Sequence, residues 1–429
     1  MLFSKIAVLG EDLAVHPDCY VGVREETIEY LGTEPPAEDF GEVYDGKNRL
    51  LIPALANAHS HAPMTLLRGY AENLALEDWL NKKVFPFEAK MKGGDVYWGS
   101  LLAFAEMLRF GVVSSTEMYY FGEEMARAAL ETGFKANLSL GVLCFDGRGF
   151  SELPIYSEYQ GLLRMFHGAG NGRIRVDLCI HGEYTSTPRV VREAADWAKE
   201  NGLRVHLHLS ETKKEHEECK ARHEGMTPAR YFESLGLFDR PATAAHCVWL
   251  EGEDFDILRR HGVAAACCPV SNLKLASGFA DLRRLLKSGV RVALGTDGAA
   301  SNNSLNLFEE MKLAAILYKA SSGDPTAVTP REAFAAATKN GFLSQGREES
   351  GAVRAGGRAD LAVIDLAAPS MHPVHDPLGN LVLAANGGEV CLTMADGRVL
   401  YRDGEYTAID LERVVFEAQC CAARILTEL

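Results

Sequence analysis

The 429-residue chain has no CxxC pair, no GxGxxG or GxxxxGK[ST] loop, and no long apolar run. Nothing in it approaches the roughly 18 consecutive apolar residues of a membrane span. Its ten cysteines are scattered or set as adjacent pairs, Cys267–Cys268 and Cys420–Cys421. Neighbouring cysteines bridge each other only with strain, so a disulfide framework is excluded and a reduced, cytoplasmic setting is expected. Positive charge is also short, with 44 Lys and Arg against 59 Asp and Glu, a net −15. Such a surface repels phosphate backbones and anionic headgroups, so neither nucleic acid nor membrane is the expected partner. The opening stretch Met1–Asp18 holds one Lys, a short apolar run and then acids, which is not the pattern of a secretion signal. What is there is ordinary globular usage, 47% hydrophobic and 24% charged, which rules out wholesale disorder.

The two ends read differently from the middle. Short β-type runs with turn residues between them fill residues 1–54 (Lys5–Leu9, Tyr20–Val23, Thr27–Tyr30, Arg49–Ile52). They return in 346–429 as Asp360–Asp365, Glu389–Met394 and Arg398–Tyr401, before an amphipathic stretch Leu411–Leu426 that reads as a closing helix. Neither end suffices for a core of its own. A small β-sandwich domain built from both termini is therefore expected. Residues 55–345 alternate strand and helix patterns. The candidate strands are Ala54–Ala58, Val112–Met118, Lys135–Val142, Ile174–Ile180, Arg204–Leu209, Ala242–Cys247, Val263–Cys268 and Val290–Gly295. Helical sequence follows each, and Thr187-Pro188 and Thr329-Pro330 are helix-start signals. Eight such units predict an α/β fold, a (β/α)8 TIM barrel. A doubly wound sheet is the alternative, and the missing Gly-rich loops speak against it.

Chemistry-bearing residues sit where those strands end. Asn57-Ala58-His59-Ser60-His61 places two imidazoles at the same parity on the first strand, able to approach one ion from one side. In Arg204-Val205-His206-Leu207-His208-Leu209-Ser210-Glu211, His208 is the better ligand. His206 lies deeper and reads as a hydrogen-bonded core residue, and Glu211 either overhangs the barrel mouth or is a solvated loop acid. His246 ends the sixth strand, and Asp297 follows the apolar Val290–Leu294, where a carboxylate is costly unless it meets a cation or a donor. Asp297 alone could also cap the turn that follows. Together His59, His61, His208, His246 and Asp297 reach one rim, the face on which barrel active sites lie. Imidazoles plus a carboxylate describe a catalytic divalent-metal site that suits Zn²⁺ or Fe²⁺, and the PCxxC of another deaminase class is absent.

These segments resemble the metal-dependent amidohydrolase superfamily and, within it, the 5′-methylthioadenosine/S-adenosylhomocysteine deaminases. The matching stretches are 53–64, Leu67-Arg68-Gly69, 208–212, His246-Cys247-Val248, 271–275 and 295–303, across nearly the whole chain. The resemblance implies one divalent metal per subunit, zinc or iron, on His59, His61, His208 and Asp297. It implies Glu211, His246 and Asp297 as catalytic proton handlers. It further implies Glu88 on the ribose hydroxyls, His181 on the purine edge and Arg148 on the carboxylate of a homocysteine tail. Binuclear members of the superfamily use a carboxylated Lys from the fourth strand; Ile174–Ile180 has none. Cys267-Cys268-Pro269 departs from the His-Asn-Pro common in relatives, which bears on substrate range. The activity implied is hydrolytic deamination of S-adenosylhomocysteine or 5′-methylthioadenosine, with adenosine and 5′-deoxyadenosine as further candidates. Deamination or dechlorination of guanine, a pterin or a triazine is the alternative, and a non-catalytic barrel scaffold the remote one. The partner is then a small-molecule nucleoside, and relatives suggest a homo-oligomer.

Overall fold

The computed structural model describes residues 1–74 and 76–429. Its central element is a parallel barrel. The strands are β1 (Leu55–Ser60), β2 (Val112–Tyr119), β3 (Lys135–Val142), β4 (Ile174–Val176 with Leu178–Ile180), β5 (Val205–Leu209), β6 (Ala242–His246), β7 (Ala264–Cys267) and β8 (Arg291–Leu294). They pair in chain order, and a Ser60–Asp297 bridge brings the end of β8 back to β1. At that closure a Cβ on Gly295 would lie 2.8 Å from the backbone N and O of His59, so the strands meet this closely only because residue 295 is glycine. Both expected helix starts are present: Thr187 accepts from the Val190 amide and Thr329 from that of Glu332, each followed by proline. One expected strand is corrected. Ile174–Ile180 is two short pieces around Asp177, whose buried carboxylate accepts from Asn137 Nδ2 at 2.9 Å.

Strands from both chain ends join one nine-stranded sheet. Leu361–Asp365 lies antiparallel to Arg49–Pro53, which lies parallel to Leu2–Leu9. The two-residue period divides its side chains between two cores. Leu51, Leu361 and Val363 face the sheet's own core with Phe3, Val21 and Ile28, whereas Leu50, Ile52, Ala362 and Ile364 face the barrel. The Glu25 turn meets Gly397 at the other end of the sheet, so the sheet folds over upon itself as a sandwich. Lys135, from β3, crosses to Asp360 and Asp396 of that sheet at 2.5 and 2.7 Å, all three side chains buried. The helix Leu411–Thr427 packs back on the barrel helix Gly93–Arg109 through Val414, Ala418 and Ile425, and Arg424 pairs with Asp95. Among the described residues no helix is long and apolar enough to cross a membrane.

Candidate active site

Four strand ends converge at one mouth of the barrel. His59 is the last residue but one of β1 and His61 follows the strand, His208 lies in β5, His246 ends β6, and Asp297 follows β8. Ring nitrogens of His59, His61 and His208 lie within 4.8 Å of one another, as do ligand atoms of His59, His246 and Asp297. Asp297 Oδ1 is 3.1 Å from His61 Nε2 and 3.4 Å from His59 Nε2. The backbone turns sharply to aim these groups. Ser210, His246, Cys247 and Asp297 all have left-handed φ, between +49° and +70°. Side-chain-bearing residues rarely adopt that region, and such strain gathers at functional sites.

Each imidazole is oriented from behind. His61 Nδ1 donates to the Met118 carbonyl, His208 Nδ1 to the His181 carbonyl at 2.8 Å, and His246 Nδ1 to Asn272 Oδ1 at 2.9 Å. Because an oxygen of this kind only accepts, Nδ1 carries a proton and Nε2 is the nitrogen turned inward. His59 Nδ1 lies 3.0 Å from His206 Nε2, so the deep histidine expected in the core is hydrogen-bonded to a site residue. Asp297 Oδ2 accepts from Ser271 and Ser301 at 2.6 and 2.7 Å, which leaves Oδ1 facing the imidazoles. Sequence reasoning missed Glu117. Its carboxylate accepts from the Ala62 amide at 2.7 Å and from Ser115, pinning the turn that carries His61. The signal was an acid in the middle of an otherwise buried strand.

This donor set fits a cation. His59 Nε2 is fully buried and has no hydrogen-bond partner among the described residues. Burial would lower His61, yet the hydrogen bond and charge of Asp297 override it and raise the imidazole to about 9. Asp297 itself is held well below the usual carboxylate range: burial opposes this, and His59 and His61 outweigh it. The pocket thus retains positive charge even against its own burial. Without an ion Asp297 keeps His61 protonated; a divalent cation would displace that proton, and three imidazoles with a carboxylate then suit a catalytic metal, whereas structural zinc sites are thiolate-rich. Beside them Glu211 Oε2 lies 3.8 Å from His246 Nε2, and Glu211 Oε1 accepts from Ser277 Oγ at 3.4 Å. Burial pushes the Glu211 carboxyl up.

A cavity of about 660 Å³ opens onto this cluster and is also lined by Glu88, His181, Tyr119 and Tyr184. Burial pushes Glu88 up to about 7 and His181 down to about 4, so the imidazole of His181 is neutral. Arg148 stands apart from the other expected substrate contacts. It does not line the cavity; its guanidinium is half-exposed and paired with Asp146 at 2.9 Å, because the Asp146-Gly147-Arg148 turn supplies its own counter-ion. Cys267 and Cys268 are fully buried and likewise absent from the lining. Burial pushes the Cys267 thiol up to about 12, so it stays neutral.

Comparison with known proteins agrees with this geometry. Residues 50–400 match the model of the amidohydrolase family. A 5-methylthioadenosine/S-adenosylhomocysteine deaminase of Dictyoglomus thermophilum is 41% identical over 419 residues, 98% of this chain and 97% of that one. A 5′-deoxyadenosine deaminase of Methanosarcina acetivorans is 40% identical, covering 95% and 93%. Among solved structures, an adenosine deaminase from Xanthomonas campestris with bound zinc superposes with a TM-score of 0.92 at 31% identity, over 99% and 98% of the two chains. The chain belongs to the amidohydrolase family, with the 5-methylthioadenosine/S-adenosylhomocysteine deaminases among its members.

Proposed function

We propose that this protein is a metal-dependent hydrolase that deaminates adenine nucleosides to the inosine-type product and ammonia. The observation that carries the reading is the convergence of His59, His61, His208 and Asp297 on one point, with Glu211 and His246 at its edge. Relatives at about 40% identity are named for deaminating 5-methylthioadenosine, S-adenosylhomocysteine and 5′-deoxyadenosine. Those names do not favour guanine, pterins or triazines, and the filled site does not favour a mere scaffold. The reading takes 55–345 as the catalytic barrel and 1–54 with 346–429 as its companion, since every site residue falls between 59 and 297.

His59, His61, His208 and Asp297 would hold one divalent ion, zinc by likeness to the zinc-bearing relative. When bound, such an ion acidifies a water to a pKa of about 7 and so supplies hydroxide at neutral pH. Asp297 and His246 orient the attacking water and take its proton; the Asn272 contact keeps the His246 Nε2 lone pair available for this. Glu211, whose carboxyl burial pushes up, donates to the ring nitrogen next to the amine-bearing carbon and makes that carbon electrophilic. Addition gives a tetrahedral centre, and proton return through the same groups releases ammonia. His181, neutral, addresses the far purine edge, and Glu88 accepts from the ribose hydroxyls.

Glu211→Gln tests this assignment. Ammonia release is expected to fall about 10³-fold, the scale of a lost general acid, while zinc content measured by mass spectrometry stays at the wild-type value. Retention of about a tenth of the wild-type rate, far above that scale, would remove Glu211 from the proton path.

A further inference from the structure

The cavity is uneven in charge and polarity. Its carboxylates are Glu88, Glu211 and Asp297, and no Lys or Arg lines it among the described residues. One side is a continuous segment, Leu76 to Glu88, wound as a helical turn, a π-turn at Leu80–Val84 and a second turn. From it Leu76, Trp79, Leu80, Val84 and Phe85 face the cavity ahead of Glu88. The indole N–H of Trp79 is buried without a partner among the described residues. Of the cations beyond the strand ends, Lys83 and Lys213 lie over the rings of Tyr70 and Trp249, outside the lining, and three others are engaged by acids. Arg148 pairs with Asp146 at 2.9 Å, Lys214 with Glu77 at 2.6 Å and Lys274 with Glu72 at 3.0 Å. Each brings an acid with its cation, so an arriving anion meets paired charge rather than a free cation.

We infer that the site selects adenine nucleosides whose 5′ substituent is small, uncharged and apolar, of the methylthio or hydrogen type, over those ending in an amino-acid zwitterion or a phosphate. This rests on the deaminase reading. With Glu88 on the ribose hydroxyls, the 5′ carbon lies beside the segment that bears Glu88, whose cavity face is otherwise apolar, its Lys82 and Lys83 lying outside the lining. A methylthio group there buries carbon and a polarizable sulfur against the Trp79 ring, a favourable contact. An α-carboxylate loses its hydration and gains no cation, while Glu88 adds like charge in a low-dielectric pocket. One neutral indole N–H does not replace a carboxylate's solvation shell.

The test is kcat/KM for ammonia release by the zinc-loaded full-length enzyme on 5′-methylthioadenosine, 5′-deoxyadenosine, S-adenosylhomocysteine and adenosine 5′-monophosphate. The first two are expected to exceed the last two by about tenfold or more, and any smaller ratio overturns the inference while leaving the deaminase reading intact. Arg148→Ala is expected to leave the ratio unchanged; a selective loss of S-adenosylhomocysteine turnover in that variant overturns the inference by placing the guanidinium on the tail. Silence on all four nucleosides, with zinc bound, refutes the deaminase reading itself.

Discussion

His206 is the residue whose removal separates orientation of the metal site from mere packing. It is fully buried, and its Nε2 lies 3.0 Å from Nδ1 of the equally buried His59. With a cation at His59 Nε2, Nδ1 must carry the proton and His206 must accept it. His206→Leu leaves that N–H with no acceptor. An unsatisfied buried donor costs about 1–3 kcal/mol, and a lost partner behind a ligating imidazole typically costs about 10- to 100-fold in metal affinity; the two figures agree, since tenfold is about 1.4 kcal/mol. Metal-free stability should move little. His206 Nδ1 is itself a buried atom without a partner among the described residues, so the substitution exchanges one orphan for another. Zinc affinity measured by competition with a chromophoric chelator should therefore fall while the midpoint of metal-free unfolding stays close to wild type. His206→Gln, whose amide oxygen accepts, should recover part of the loss. Wild-type zinc affinity in His206→Leu would refute the orientation role, and a large metal-free destabilisation would assign His206 to packing.

Two further outcomes follow from buried charge. Burial raises Glu88 to about 7, so it is neutral below that pH and ionised above it. As the carboxylate is the form that accepts from ribose hydroxyls, KM for the nucleoside should fall as pH rises from 6 to 8, by about the tenfold that a fully expressed titration spans. Glu88→Gln should flatten that profile, and a profile unchanged in the variant would refute the ribose contact. Lys135→Met leaves Asp360 and Asp396 at the sheet–barrel junction without their shared cation. Breaking a buried pair from one side costs about 3–5 kcal/mol, which urea unfolding would register, and a loss below about 1 kcal/mol would show that Arg358 and Ser350 already suffice.

The barrel and its mouth were legible in the sequence because their signals repeat. Each β-type run is short and is followed by helical sequence, and four of the eight lead into a candidate metal-site or catalytic residue, as in Ala245-His246 and Thr296-Asp297. The parity of His59 and His61 also translated into geometry, since both Nε2 atoms reach the same oxygen of Asp297. What sequence could not supply was direction in loops and partnership in depth. Arg148 shares a turn with Asp146, and nothing in Asp-Gly-Arg says whether the guanidinium faces a substrate or its neighbour. Glu117 and Ser271 look like ordinary polar residues until strand register sets one behind the His61 turn and the other on Asp297. Asp177 splits a strand that its flanking aliphatics would have continued, because its carboxylate and that of no neighbour takes the Asn137 amide. Cys267 and Cys268 drew notice by departing from a family pattern, yet both are buried and neither lines the cavity.

Ammonia release from 5′-methylthioadenosine, followed while zinc is titrated into chelator-stripped enzyme, is the most direct measurement. Turnover should be absent without metal, rise in proportion to zinc and reach its plateau at one equivalent per chain, matching one ion shared by the overlapping clusters His59–His61–His208 and His59–His246–Asp297. A chain that binds one equivalent of zinc and releases no ammonia, or one that needs two for activity, would contradict the mononuclear adenine-nucleoside deaminase proposed for this fold.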